Sequence, residues 1–222
     1  MADGFGLYLV MTDPVAGYEA CAAAAVRCGV RYLQLRMKEA PRDAVLETAL
    51  RVREITLGSD TLFIVNDDVT IACDVDADGV HLGQHDLPLD EARRLWPARG
   101  KRFGLSTHNE QQALLASRLS PDYIGVGPVF ATPTKAVPDP VLGLKEVLRV
   151  VKPGGKVLLL EHVLAANSVL ARLMNLINPV VVRVMGANIN RPTVRNVARA
   201  GLTAVRVTDL TGIFKLIEAT KS

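Results

Sequence analysis

The stretch "IVNDDVTIACDVDADGVHLGQHDLP" (64–88) holds two apolar runs, and each leads into carboxylates. The first ends in Asn66-Asp67-Asp68. The second, Gly79-Val80-His81-Leu82-Gly83, ends in Gln84-His85-Asp86. Short apolar runs bounded by Asp, Asn and Gly predict buried strands, so two neighbouring strands would finish by presenting acids. Like charges at adjacent strand ends repel. Either a positive group sits between them, or both are solvated loop residues.

Working outward, β-rich runs alternate with helix-patterned stretches, as in βα units around a parallel sheet. The predicted strands are 7–13, 32–38, 62–67, 79–83, 102–107 and 123–130. Helices are predicted in "GYEACAAAAVRCG", "PRDAVLETALRVREIT" and "LDEARRLWP". Six such units fit a TIM-type (β/α) barrel better than a small doubly wound sheet. After residue 144 the texture changes. "GLKEVLRVVKPGGKVLLLEHV" predicts helix, turn and buried strand, followed by two helical stretches around an apolar run. The end, "LTAVRVTDLTGIFKLIEATK", predicts an antiparallel hairpin.

The chain of 222 residues is 49% hydrophobic and 22% charged, enough for a sizeable core. A net charge of +3 gives no ground for a nucleic-acid or membrane partner. With no signal-peptide pattern and no bilayer-length apolar run, a cytoplasmic protein is expected. Cys21, Cys28 and Cys73 lack C-x-x-C spacing and are expected to be reduced thiols, the first two on one helix face.

In "QLRMK" alternation puts Gln34, Arg36 and Lys38 on one side of a strand. Facing a barrel interior they call for an anionic partner; on an edge strand they are a solvated polar face. Asn66, Asp67 and Asp86 stand at C-terminal strand ends, where α/β proteins bind ligands. Two hard carboxylates with a Gln nearby suit Mg²⁺, whereas helix capping is the plainer use, and Asp68 is assigned to it. Ser106 and Thr107 end the fifth strand, and one of them is a candidate cap. His108 has no acid or nucleophile tied to it by spacing, and His81 reads as a satisfied core histidine. Thr132, Thr134 and Lys135 lie in a long Pro-rich loop whose hydroxyls and amine suit a phosphate. "KPGGK" (152–156) lacks the GK[ST] ending and leads into a strand, so it reads as a turn.

Together, "QLRMK", "IVNDDV", "ADGVHLGQHDLP", "GLSTH", "DYIGVGPVFATPTK" and the following "P…GL" resemble thiamine phosphate synthase over about residues 5–144. The resemblance implies a TIM barrel that joins hydroxymethylpyrimidine diphosphate to thiazole phosphate and releases diphosphate. It implies small-molecule substrates, Mg²⁺ as cofactor, and leaves a homo-oligomer open. Gln34, Arg36, Lys38, Asn66, Ser106 and Lys135 would hold the pyrimidine diphosphate, with Arg36, Lys38, Ser106 and Lys135 as the catalytic group. Asp67 and Asp86 would bind Mg²⁺, and Thr132 and Thr134 would contact the thiazole phosphate.

The resemblance stops near Gly143-Leu144. The family continues with a strand ending in Gly-Gly-Ile, but here Glu161-His162 occupies that place. Residues 145–222 instead resemble the C-terminal part of a class I methyltransferase that uses S-adenosylmethionine. That family's glycine-rich cofactor motif is absent, so methyl transfer is not expected. The sequence therefore predicts a hybrid, with residues 1–144 as the synthase-like barrel portion and 145–222 as a methyltransferase-like segment. "KVLLLEHV" is a candidate seventh barrel strand, and "PVVVRVMG" or "TAVRVTDL" an eighth. A six-unit partial barrel with a Rossmann-like tail is the alternative. In function, the alternatives are an impaired hybrid that binds only the pyrimidine diphosphate and a methyltransferase fragment.

Overall fold

The computed structural model describes residues 6–128, 143–151, 153–162, 164–165, 167–185, 189–190, 192–209 and 214–221. Two compact units emerge: residues 1–107 with 115–125, and residues 108–114 with 126–222.

The first unit carries β1 (Tyr8–Met11), α1 (Tyr18–Arg27), β2 (Tyr32–Leu35), α2 (Arg42–Thr56), β3 (Leu62–Asn66) and α3 (Val69–Asp74). β4 (Gly79–Leu82), α4 (Leu89–Leu95) and β5 (Arg102–Thr107) follow. After α5 (Glu110–Leu119), β6 (Tyr123–Val126) completes a six-stranded sheet in sequence order. The register is parallel throughout β1 to β5, with Leu33 beside Phe63 and Val65 beside Val80. All six predicted strands form. Five of them stop short of their predicted ends, so Arg36 and Lys38 lie beyond β2 rather than on it.

Continuous burial explains the apolar runs. Leu33, Leu35, Phe63, Val65, Val80 and Leu82 are buried against α1 to α4, where Ala22, Ala49, Val52, Ile71 and Ala92 fill the helix side. The sheet curls. Tyr8 and Tyr123, the first residues of its two edge strands, meet at 2.7 Å between hydroxyls, and Tyr8 stacks on Tyr32 at 5.4 Å. Gly104 makes room for this cluster, because a Cβ there would stand 2.3 Å from the Tyr123 ring. The result is a curled α/β partial barrel with three tyrosines clustered where β1, β2 and β6 begin.

The second unit carries α6 (Gly143–Val150), β7 (Lys156–His162), α7 (Ser168–Met185), α8 (Thr193–Arg199), β8 (Leu202–Asp209) and β9 (Phe214–Lys221). Its sheet has the order β7-β9-β8 with both pairs antiparallel. The terminal hairpin forms as the sequence predicts, and Pro153-Gly154 makes the turn before β7, with Gly154 at φ +73°. Neither candidate eighth strand joins the parallel sheet, nor does the candidate seventh. "KVLLLEHV" pairs with β9 instead, and "TAVRVTDL" lies largely in β8 of the same small sheet. "PVVVRVMG" is mainly helical, as the end of α7. The valines favour a strand locally, but apolar positions at Leu170, Leu173, Met174 and Ile177 continue a helical period through them. Val157, Leu159, Val197, Leu202, Ile217 and Ala219 form the core of this unit.

Candidate active site

Parallel strands deliver their C-terminal ends to one edge, and the loops after β2, β3 and β4 gather the polar residues there. Asn66 closes β3. Asp67 follows with φ +67°, a left-handed turn that Asp tolerates better than most residues, and its N–H donates to the His81 carbonyl at 2.8 Å. That turn separates two neighbouring acids. Asp68 caps α3, its carboxylate accepting from the Ile71 N–H at 2.9 Å and from the Thr70 hydroxyl at 2.5 Å. Burial pushes its carboxyl up, but these bonds and the Arg42 guanidinium outweigh that and hold it below the usual carboxylate range. The capping assignment for Asp68 holds.

Asp86 sits in the loop after β4 and accepts from the Gly83 N–H at 2.6 Å. Gly83 permits this approach, since a Cβ there would lie 3.0 Å from the Asp86 carboxylate oxygen. The Asp86 carboxyl meets that of Asp67. Burial first, then the hydrogen bond and charge of Asp67, raise it above the ordinary carboxylate range. Lys38 Nζ reaches the Asp67 carboxylate at 2.6 Å, the side chains being 46% and 27% exposed. A positive group does stand beside the paired acids. Asp67, Asp68, Val69, Thr70, Asp86, Leu87 and Leu95 line a cleft of about 350 Å³.

Three further residues stand on the strands. Gln34, on β2, is only 4% exposed, and its buried Nε2 has no hydrogen-bond partner among the described residues. An unpaired buried donor costs about 1–3 kcal/mol, which an acceptor on a ligand would recover. Ser106 Oγ lies 2.8 Å from His81 Nε2, and the Ser106 carbonyl accepts from Gln84 Nε2. Arg36 extends towards Thr12, Nη1 to Oγ1 at 3.5 Å.

Three expectations change. Neither Ser106 nor Thr107 caps the following helix; Asn109 does so, accepting from the Gln112 N–H at 2.8 Å, while Thr107 donates to the Gly125 carbonyl. His81 is not a satisfied core histidine, because its Nδ1 is buried without a partner among the described residues. Burial pushes the imidazole down to about 4, with Asp67 pulling it up and Lys38 down. Its alternation with Val80 and Leu82 was the signal that it faces inward with the polar residues. Arg36 and Lys38 flank the edge from loop positions rather than from inside the sheet. Thr132, Thr134 and Lys135 lie outside the described residues.

Among the described residues no cluster of three or more His, Cys, Asp or Glu side chains assembles. The two adjoining carboxylates nonetheless fit Mg²⁺. That ion takes one or two carboxylates and completes its shell with water and substrate phosphate.

A family model described as thiamine monophosphate synthase matches residues 7–157. The thiamine-phosphate synthase of Gloeobacter violaceus is 50% identical over 141 residues, 64% of this chain and 40% of that protein. That of Pelotomaculum thermopropionicum is 49% identical over 128 residues, 57% of this chain and 58% of that protein. The chain thus spans about half the length of these curated relatives. Among solved structures, the thiamine phosphate pyrophosphorylase from Pyrococcus furiosus superposes with a TM-score of 0.57 at 32% identity, covering 66% of this chain and 69% of that one.

Proposed function

The chain belongs to the thiamine monophosphate synthase family, and from that premise we propose that it is a transferase of thiamine biosynthesis. It would join hydroxymethylpyrimidine diphosphate to thiazole phosphate and release diphosphate. The observation that carries this reading is the strand-end edge where Asp67, Asp86 and Lys38 converge, together with Gln34 on β2, whose buried Nε2 has no partner among the described residues.

Breaking the C–O bond leaves a resonance-stabilised pyrimidine cation and places negative charge on the departing diphosphate. Arg36 and Lys38 would stand beside that charge as it develops, and cations in place before reaction stabilise it without reorganisation. Asp67 and Asp86 would hold Mg²⁺, whose bound charge offsets that of the diphosphate. Gln34, Asn66 and Ser106 would orient the pyrimidine diphosphate, so that the thiazole nitrogen attacks from a fixed distance. Lys135 would join the cations, and Thr132 and Thr134 would hold the thiazole phosphate. No general base of unusual pKa is needed.

A second reading has its own support. β7, where the family's thiazole-phosphate strand is expected, pairs in the antiparallel sheet, and the sequence of residues 145–222 resembles a methyltransferase C-terminus. A hybrid joined near Gly143-Leu144, with 1–144 and 145–222 as its parts, would bind the pyrimidine diphosphate without productive thiazole phosphate binding. Diphosphate release with both substrates and Mg²⁺, followed by assay of thiamine phosphate, separates the two. Product supports the synthase. Binding of the pyrimidine diphosphate without product supports the impaired hybrid, and no Mg²⁺-dependent binding sinks both.

A further inference from the structure

We infer that His81 is a positioning residue for Ser106: its Nε2–H donates to Ser106 Oγ and so turns the serine's own proton towards a ligand. The inference rests on the pyrimidine diphosphate reading given above.

The geometry begins with register. His81 pairs with Gly104, so the imidazole shares a face of the sheet with Ser106, two residues further along β5. Nε2 and Oγ stand 2.8 Å apart, and only one of them can supply the proton. The other ring nitrogen decides which. Nδ1 is buried without a partner among the described residues, and orphaned buried N–H groups are rarer than under-used acceptors. Nδ1 therefore carries the lone pair and Nε2 the hydrogen. With its oxygen receiving that hydrogen, the Ser106 hydroxyl is left to donate elsewhere.

The ring is held for this task. Tyr123 stacks on it at 5.6 Å between centroids and 21° between planes, and Tyr123 is itself bonded to Tyr8. On the main-chain side, the His81 carbonyl accepts from the Asp67 N–H. One residue thus ties the serine to the acid-bearing turn. A core histidine without function would more cheaply be an apolar residue of similar size, which leaves no orphaned nitrogen.

The test is a double-mutant cycle on the full chain, read as the Kd of hydroxymethylpyrimidine diphosphate with Mg²⁺ by calorimetry. Ser106→Ala should weaken binding about tenfold, the loss of a hydrogen bond to a charged ligand. His81→Phe should do the same, and the double variant should be no worse than about tenfold, because both changes remove one interaction. His81→Gln, which keeps an N–H near the Nε2 position, should recover most of the loss. Should His81→Phe fail to fold, His81→Asn takes its place, its side chain being too short to reach Ser106. A double variant about a hundredfold weaker, the product of independent effects, overturns the inference while leaving the functional reading intact. Failure of the unmutated chain to bind the pyrimidine diphosphate sinks the functional reading, and this inference with it.

Discussion

The two sheets of this chain treat charge differently. In β1 to β6 every strand paired in register runs the same way, so residues far apart in sequence reach one edge: Lys38, Asp67 and Asp86 come from three successive loops. In β7-β9-β8 neighbouring strands run oppositely, and each edge receives alternating strand starts and ends. Charges there settle across strands, Arg206 with Glu218 at 3.8 Å and Lys215 with Asp209 at 3.4 Å. At the C-terminal edge, parallel order brings Asp67 and Asp86 together and creates a demand for a counter-ion. Antiparallel order pairs charge off locally. The difference teaches where to look for chemistry before any residue is compared with a relative.

Burial follows the same division, and it gives the largest expected effect. Phe63 is 0% exposed in a strand covered on both faces, and Phe63→Ala should cost about 3–5 kcal/mol. Ile217 is also 0% exposed, but β9 alternates buried with part-exposed residues over a smaller core. Ile217→Ala should cost about 2–3 kcal/mol, near the low end for such changes. Chemical denaturation of both variants checks this. An Ile217→Ala loss as large as that of Phe63→Ala would break the contrast.

Next in size is a pH effect confined to the parallel unit. His81 has its pKa pushed down to about 4 by burial, whereas the unfolded chain takes up that proton near pH 6.5. The stability contribution is complete above pH 6.5 and is lost as pH falls towards 4, because the unfolded chain then binds a proton that the folded chain refuses. The loss amounts to about 3 kcal/mol. Denaturation of the unmutated chain and of His81→Gln across that window isolates it, and parallel curves would show that His81 carries no such shift.

A third test addresses the edge itself. Asp86→Asn keeps an oxygen to accept the Gly83 N–H but removes one negative charge. Mg²⁺-dependent binding of the pyrimidine diphosphate should weaken about 100-fold, with the melting temperature little changed. Collapse of the fold would mean that the loop, not the charge, is what Asp86 serves.

How much of this was legible depends on the physics of each region. The six strands could be read because strands covered on both faces must be continuously apolar, as Phe63-Ile64-Val65 is. The acids could be read because they stand at strand ends. The helical fate of Val180-Val181-Val182 was not legible, since local β-preference and helical period conflict there and packing decides. Nor was the role of His81. A histidine within an apolar run looks the same whether both ring nitrogens are satisfied or one is not, and only the folded surroundings of Nδ1 and Nε2 separate the cases.

The smallest effect gives the finest division, between adjacent residues. Asp67 and Asp68 follow one strand, yet the left-handed turn at Asp67 sends one carboxylate to Lys38 and Asp86 and the other to the first turn of α3. Asp68→Ala removes the cap and the Arg42 contact at 3.3 Å, and should cost about 1 kcal/mol of stability. Binding of the pyrimidine diphosphate with Mg²⁺ should change less than about threefold, because a cap acts on the helix and not on the ligand. Asp67→Ala should lose binding, and its stability should fall by about 1–2 kcal/mol, from the Lys38 ion pair and from alanine in a left-handed turn. Calorimetry and denaturation on the same two variants give both readings. If Asp68→Ala loses binding as Asp67→Ala does, the helix cap is part of the site, and the division between structural and functional acid belongs elsewhere in the loop.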